Sequence, residues 1–481
     1  MPLFSLVTLT VVIYYVVKNN NIHDFYVDLI KFTCLIEIMH IRGYFIPVGE
    51  SGILTQSTYL RYLLVLCGMI ILFIGNIKYN RKLIIFTFLF FVSALLGEGI
   101  EYVFPYEIPV VPYSETIIGK TGSTWDYFMQ GYISKRVAIL SMVDVMKYQF
   151  ELLVVLFNIV IIKSYCNMSD YRKILAYIVK VFPLYIILLF IEFIIKNLLG
   201  FAEVWPDIQQ SLFGNFSLQA MGSESKMRGD LYTLIGFSQE SSYVVMAISA
   251  FWLLSLYAYK SNIAKLKMKW VVLSILLFLL CGGFSCYWFG SVLLVIMWII
   301  IKEKYRLTYR DFLMIILSRS ILFMSLILVL LSMIFYFYDY AYDKFYAVLY
   351  FFNEFVLEGG IPYWLVSENI SVLSRMGSIV TVINDFCERP LFGLGMGVEY
   401  AHSFTVTMLA EFGVVGTVLW WLIITCKKRV NEQYDIYTIF IFFIIAGIFG
   451  GDFGVKNLQF IYYIIIVEST KLYTILKTDA C

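Results

Sequence analysis

His402 is the side chain in this sequence best suited to proton transfer, and it stands directly before a long apolar run. That run reaches Cys426 and then turns basic at residues 427–429, which is typical of a membrane span with an inner basic end. If the run is helical, the positive end of the helix lies near His402 and favours the neutral imidazole. A neutral imidazole can take a proton from a hydroxyl group, so His402 is a candidate general base.

Arginines in the same part of the chain suit a different task, the binding of a diphosphate. A guanidinium keeps its charge and presents a planar fork of donors, which fits a diphosphate better than the point charge of a lysine does. Arg228 precedes the apolar run 231–259, and Arg375 lies on the polar face of a predicted helix. Lipid headgroups are the alternative partners of both side chains. Arg136 and Arg389 are the other arginines predicted on this side of the membrane.

The segment 370–416 joins these residues. Residues 370–387 separate into an apolar and a polar face at helical spacing, which predicts an amphipathic helix. Pro390 should end that helix, and Gly393, Gly395 and Gly397 should then redirect the backbone. The three glycines partly imitate a dinucleotide fingerprint, but no strand and no βαβ context precede them, so we reject a nucleotide site.

The order of these motifs resembles that of the Wzy-type O-antigen and capsule polymerases and the related O-antigen ligases. Members carry an outward loop with an arginine-containing helix, then PLFGxGxG, here residues 390–397. A histidine step then leads into a helix with E-x-G-x-x-G, here Glu411, Gly413 and Gly416. Ligases usually have His-Asn, whereas this chain has His402-Ser403, which favours the polymerases over the ligases. A second segment, from Arg228 to Glu240 and residues 241–242, is similar to the family pattern R-x-G... E-(P/S)-S.

The resemblance implies a function. It implies a metal-independent, inverting glycosyltransferase with a GT-C-like helical fold, which moves a growing glycan from undecaprenyl diphosphate to an incoming lipid-linked repeat unit on the outer face of the membrane. Its implied partners are those lipid-linked oligosaccharides, membrane lipid, a chain-length regulator and a flippase. His402 and Glu240 would be catalytic, and Arg228 and Arg375 would bind the diphosphate. Arg389 and Glu411 would be supporting residues.

Composition places the chain in a membrane independently of that resemblance. Hydrophobic residues make up 61% of the sequence and charged residues 15%, whereas a soluble protein has about 25% charged residues. The net charge of +2 is too small to indicate a nucleic-acid partner. We therefore expect an all-α polytopic membrane protein that forms one transmembrane domain over residues 1–481.

Apolar runs and basic clusters predict the topology, with about 12 spans (11 to 13). Basic clusters fall on alternate connections, which the positive-inside rule assigns to the cytoplasm. The long loops 97–147, 196–230 and 337–401 then face outward. We expect a bacterial plasma (inner) membrane protein whose active site also faces the periplasm or exterior. The clearest spans are 57–77, 83–96, 148–162, 174–195, 231–259, 271–280, 285–301, 312–336, 402–426, 434–448 and 458–473.

The first two apolar runs are less regular. Residues 3–17 lack a basic start and a small-residue end, so we interpret them as a retained span rather than a cleaved signal. Residues 25–48 contain Asp28, Lys31, Glu37, His40 and Arg42, which would be costly in lipid. That run should face protein or lie partly at the interface, and the sequence leaves open whether it spans.

The outer loops hold many aromatic side chains, among them Trp125, Trp205 and Trp364. An aromatic belt at the lipid headgroups is the simpler explanation and the stacking of sugars is the functional one, and composition alone does not separate them. These loops lack a DxD or ExD pair that would hold a metal, so we predict no metal and no cofactor. An O-antigen ligase is the alternative enzyme, and a flippase for lipid-linked oligosaccharide or a secondary carrier is the alternative from another class.

Overall fold

A computed structural model describes about half of the chain. The described residues are 2–41, 44–48, 51–74, 80–104, 107–109, 135–137, 142–213, 227–228, 231–238, 241–264, 270, 273–274, 277, 383, 386–396, 404–426, 461 and 463–469.

Helices dominate the described residues, and three two-stranded antiparallel ribbons accompany them. The helices are α1 Leu3–Lys18, α2 Ile22–Ile38, α3 Gln56–Ile74, α4 Arg81–Val103, α5 Met142–Tyr165, α6 Met168–Phe193, α7 Val204–Phe213, α8 Ser241–Lys260 and α9 Phe404–Ile424. A π-helical turn, Ile194–Leu198, continues α6. The ribbons pair β1 Tyr44–Val48 with β2 Ser51–Thr55, β3 Glu107–Pro109 with β4 Lys135–Val137, and β5 Met227–Arg228 with β6 Leu231–Tyr232.

Five of these helices are long and apolar enough to cross a membrane, within the part of the chain that the structure describes. They are Gln56–Ile74, Arg81–Val103, Val145–Tyr165, Met168–Leu198 and Thr405–Ile424. The predicted class, a helical multi-pass membrane protein, is confirmed at this level. The total of about 12 spans and the GT-C-like fold stay predictions, because residues 278–382 and 427–460 lie outside the described residues.

Asparagine caps fix where two helices begin, because the first N–H groups of a helix need acceptors from outside it. Asn21 accepts from the backbone N–H of Asp24 at 2.7 Å and so starts α2. Asn167 accepts from the N–H groups of Ser169 and Asp170, and the Asp170 carboxylate accepts in return from the Asn167 N–H at 2.9 Å. This reciprocal pair lets α6 begin directly after the short turn that follows α5.

Helix α2 accounts for the charged run near the N-terminus. It packs against α1, α3, α6 and α8 and is largely buried by them. Asp28 pairs with Lys31 at 2.6 Å and with Lys18 at 3.1 Å, and the buried Glu37 faces Arg61 of α3 at 3.4 Å. The expectation that this run faces protein is confirmed for Asp28, Lys31 and Glu37, whose charges meet protein partners, while Arg42 lies outside the described residues.

Helix α8 is buried along most of its length and packs against α6 and α2 among the described helices. Every residue from Tyr243 to Ala258 is buried, which is typical of a helix that is apolar all round and enclosed by protein. The large side chains Phe251, Trp252 and Tyr257 fill the core between α8 and its neighbours, with Phe182 of α6 stacked on Phe251.

Contacts between helix ends are consistent with the predicted alternation. Asn80 before α4 donates to Cys426 after α9 at 3.3 Å, so these two ends lie on one side of the bundle. Lys163 near the end of α5 donates to the last carbonyls of α9, Ile423 and Ile424, and faces Glu468 at 3.3 Å. The basic clusters that the positive-inside rule assigns to the cytoplasm adjoin these ends.

Several predicted boundaries are wrong. Helix α4 continues to Val103, so the loop predicted to begin at residue 97 begins later. The apolar run 231–259 is not one helix, because α8 begins only at Ser241 and Gly236 has a φ of 57°. Glu240 therefore does not lie a turn inside a helix that starts at residue 231. The predicted span 174–195 is too short, since α6 starts at Met168 and its π-helical turn reaches Leu198.

Candidate functional site

Helix α9 is broken in its middle at Gly413, whose φ is 63° and ψ is −172°. A helix broken at membrane depth leaves N–H and C=O groups that lipid cannot satisfy. The sequence predicted one unbroken helix here, because glycine is tolerated in membrane spans and apolarity alone does not show a break.

The segment Pro390–Gly395 fills this break with its own backbone. The N–H groups of Val414 and Val415 donate to the carbonyls of Pro390 and Leu391 at 2.8 and 3.1 Å. In the other direction, the N–H groups of Leu394 and Gly395 donate to the carbonyls of Ala410 and Glu411 at 2.8 and 3.1 Å. The side chain of Thr417 donates to the Gly413 carbonyl at 2.7 Å. The two halves of α9 are thereby joined through the inserted segment Pro390–Gly395.

Glycines make this insertion possible at the two points of closest approach. A Cβ at Gly413 would collide with the backbone of Leu391. A Cβ at Gly393 would lie 2.5 Å from the carbonyls of Ala410 and Glu411, and Gly393 has a φ of 73°. Backbone atoms on both sides leave no flexible side chain to move aside, so each position requires glycine. The predicted chain-redirecting turn is confirmed at Gly393 and Gly395, which both have positive φ, while Gly397 lies outside the described residues.

Helix α4 supports the inserted segment from the side. Its Glu98 accepts from Gln149 of α5 at 2.6 Å, and a Cβ on the nearby Gly395 would lie 2.8 Å from the Glu98 side chain. Phe90 of α4 packs on Phe412 and Trp420 of α9, with ring centroids 5.1 and 5.7 Å apart. The inserted segment is thus held between α4 and α9.

Arg389 stands where the chain enters the break. Helical residues 386–388 precede it and the turn at Pro390 follows, so the predicted end of the amphipathic helix is confirmed. Its Nη2 donates to the carbonyl of Phe104 at the end of α4 at 2.7 Å. Its buried Nε has no hydrogen-bond partner in the described part of the structure. Arg389 therefore ties the inserted segment to α4 and keeps one donor for a further acceptor.

Glu411 is 2% exposed and lies beside the break, where its carbonyl accepts from Gly395. The structure therefore brings two of the predicted site residues, Arg389 and Glu411, to opposite ends of the inserted segment.

The segment 231–238 forms a second built region, before α8. Arg228 pairs with Leu231 in the ribbon of β5 and β6, which fixes its backbone, while its side chain lies outside the described residues. The backbone that follows is bonded by side chains of α6, of its π-helical turn and of α7. Residues 231–238 are therefore held in place between the ribbon that contains Arg228 and the start of α8.

The other predicted site residues, His402, Arg375 and Glu240, lie outside the described residues, as does most of the predicted amphipathic helix 370–387. In the sequence, His402 stands just before α9 begins at Phe404, and Glu240 stands directly before α8 begins at Ser241.

Sequence reasoning missed the side chains that support both regions. Glu98 was assigned to a loop, although it lies in the last turns of α4. Glu192 and Lys196 are spaced i, i+4 within an apolar run, and this spacing is the signal that predicts a buried ion pair.

Comparisons with protein family models, with curated proteins and with solved structures find no match to this chain. The resemblance to the polymerases therefore depends on the motif residues themselves.

Proposed function

We propose that this chain is a polysaccharide polymerase that works on the outer face of a bacterial plasma membrane. Its donor is a glycan on undecaprenyl diphosphate, and its acceptor is the terminal sugar of a lipid-linked repeat unit. The product is O-antigen or capsule polysaccharide.

The reaction needs one proton transfer and one charged leaving group. The acceptor hydroxyl gives its proton to His402, and its oxygen attacks the anomeric carbon of the donor. The bond between that carbon and the diphosphate breaks as the new glycosidic bond forms, with inversion. Arg228 and Arg375 stabilise the charge that develops on the departing diphosphate, and Glu240 orients the acceptor.

One observation carries the proposal. The residues of the motif PLFGLG and of E-x-G-x-x-G, which belong to separate motifs, form one interlocked unit around the break in α9. Gly393 and Gly413 each occupy a position where a Cβ would strike backbone. The two motifs on which the resemblance depends are therefore required together by this fold. This dependence supports the resemblance more strongly than a chance match of two short sequences would.

A transporter is the second candidate, because interrupted helices at membrane depth are typical of secondary transporters. The break in α9 is such an interruption. In transporters, however, the free ends of half-helices bind the substrate, whereas here the N–H groups of Val414 and Val415 already donate to Pro390 and Leu391. This filled break favours the enzyme.

Purified protein with lipid-linked repeat units tests the proposal most directly. We expect a ladder of longer lipid-linked glycans without any added metal or nucleotide sugar. A protein that moves the lipid-linked unit across the vesicle membrane without lengthening its glycan would instead be a flippase. In cells, deletion of a polymerase leaves single repeat units on the surface, whereas deletion of a ligase leaves no linked glycan.

Replacing Arg375 by lysine should severely impair polymerisation, because the charge is kept while the planar fork of donors is lost. We expect polymer yield to fall by about tenfold or more, which corresponds to a loss of about 1.5–3 kcal/mol of charge-assisted hydrogen bonding. The measurement is chain length and amount in the purified assay. Arg172→Lys is the matched control, since Arg172 is exposed near the start of α6. Wild-type polymer from Arg375→Lys would exclude a diphosphate clamp at that position.

A further inference from the structure

A buried ion pair at the end of α6 lies directly against the chain that follows Arg228. The Glu192 and Lys196 side chains are 0% and 1% exposed, and their charged atoms are 2.7 Å apart. Neither residue belongs to the motifs that suggested the function. A buried pair costs desolvation of two charges, so it persists where additional hydrogen bonds satisfy both groups.

Among the described residues, those additional bonds go to the backbone of one short segment. The Glu192 carboxylate accepts from the N–H groups of Ile235 and Gly236 at 2.9 and 2.8 Å. Lys196 donates to the carbonyl of Thr233 at 3.2 Å. Both members of the pair therefore bind the segment 233–236 as well as each other.

Neighbouring side chains complete the same pattern. Asn197 accepts from the Tyr232 N–H at 2.7 Å and donates to the Tyr232 carbonyl at 3.2 Å, as an adjacent strand would. Trp205 and Gln209 of α7 both donate to the Gly236 carbonyl, at 3.0 and 2.8 Å. Side chains of α6, its π-helical turn and α7 thus replace the helical hydrogen bonds that the segment 232–238 lacks.

The segment 232–238 lies between two predicted site residues, Arg228 and Glu240, in the sequence. Arg228 lies in the ribbon that ends at Tyr232, and Glu240 comes two residues after Ser238. A backbone held at each of residues 232, 233, 235 and 236 restricts both flanks, because consecutive Cα atoms are only about 3.8 Å apart.

We propose that Glu192 and Lys196 are positioning residues for the polymerase site, because they hold the segment 232–238, which lies between Arg228 and Glu240 in the chain. The inference rests on the proposed function. Neither side chain touches substrate, and their effect passes through the backbone.

The test compares two double variants that each remove a buried ion pair. Glu192→Gln with Lys196→Met leaves no unpaired buried charge but loses the carboxylate that accepts from Ile235 and Gly236. The control, Lys163→Met with Glu468→Gln, removes the pair at the opposite end of the bundle, whose partners are 3.3 Å apart. Glu192 lies about 36 Å from that end, a distance that is most of the length of α6.

Two readouts are taken on purified full-length protein in detergent: amide hydrogen exchange over residues 232–238, and turnover with lipid-linked repeat units. For the first variant we expect faster exchange in that segment and a turnover lowered by about 100-fold, since small misplacements of catalytic groups are that costly. For the control we expect wild-type exchange in the segment and wild-type turnover.

Unchanged exchange over residues 232–238 in the first variant would overturn the inference, and so would faster exchange with wild-type turnover. The single variant Glu192→Gln provides a second measurement if the double variant does not fold. If the wild-type protein itself has no polymerase activity, the proposed function fails, while the exchange comparison still decides whether the pair holds this segment.

Discussion

Alanine in place of Gly413 is expected to destabilise the protein more than any other single methyl group added to a described glycine. The residue has a φ of 63°, and its Cβ would overlap the backbone of Leu391 within the inserted segment. This combination of φ and ψ is essentially restricted to glycine and costs another residue about 1–3 kcal/mol, and overpacking costs about 1–3 kcal/mol more. We therefore expect the free energy of unfolding to fall by roughly 2–6 kcal/mol.

The consequence extends beyond one contact. Displacing Leu391 would separate the Val414 and Val415 N–H groups from their acceptors, and in a membrane water does not replace them. The measurement is the thermal midpoint of detergent-solubilised protein, together with the fraction that elutes as a single species in size exclusion.

Gly99→Ala is the matched control for this prediction. Gly99 also lies in a membrane helix, but a Cβ there would meet no atom within 4 Å. Alanine in a helix interior is favoured over glycine by about 0.5–1 kcal/mol, so the control should melt at or above the wild-type midpoint. If Gly413→Ala melted together with Gly99→Ala, the insertion of Pro390–Gly395 into α9 would be wrong.

Removal of the imidazole at His402 is expected to abolish polymer while leaving the protein folded. General-base catalysis contributes about 10²–10⁴-fold in rate, and a loss of that size at every addition leaves essentially unextended repeat units. The measurement is glycan chain length in a complementation assay, with membrane yield and thermal midpoint recorded to show that the variant folds.

His23→Ala separates this effect from the general loss of a histidine. The His23 ring is 30% exposed and lies 3.2 Å from Asp170, at the start of α6. A partly exposed pair of this kind contributes about 1 kcal/mol or less, so the control should polymerise normally. Near-normal chain length in His402→Ala would remove that residue from the proposed chemistry.

Periodicity and composition predicted the membrane class and several helices well. The spans near α3, α5 and α6 overlap the predicted ones, because an apolar run long enough to cross a bilayer has few other stable structures. Pro390 was recognised as the end of a helix for a local reason, the torsions that proline forbids to its predecessor.

Hydrogen bonds to segments that are distant in the sequence determined the structure at the start of the run 231–259, which periodicity did not predict. The run 231–259 is apolar enough to be helical throughout, yet Glu192, Asn197 and Gln209 bind its first residues and hold them in an irregular path. No local feature except Gly236 marks the change, since the competing partners lie up to 44 residues away in the chain.

The sequence by itself determined that this protein resides in a membrane, and it supplied the motif residues from which a polymerase is proposed. Only the tertiary structure showed that α9 is broken and that the backbone of PLFGLG supplies hydrogen bonds at the break. The physical reason is that a span hides its polar backbone from lipid in two ways: by its own helical bonds, which a sequence pattern predicts, or by another segment's backbone, which only three-dimensional contact reveals.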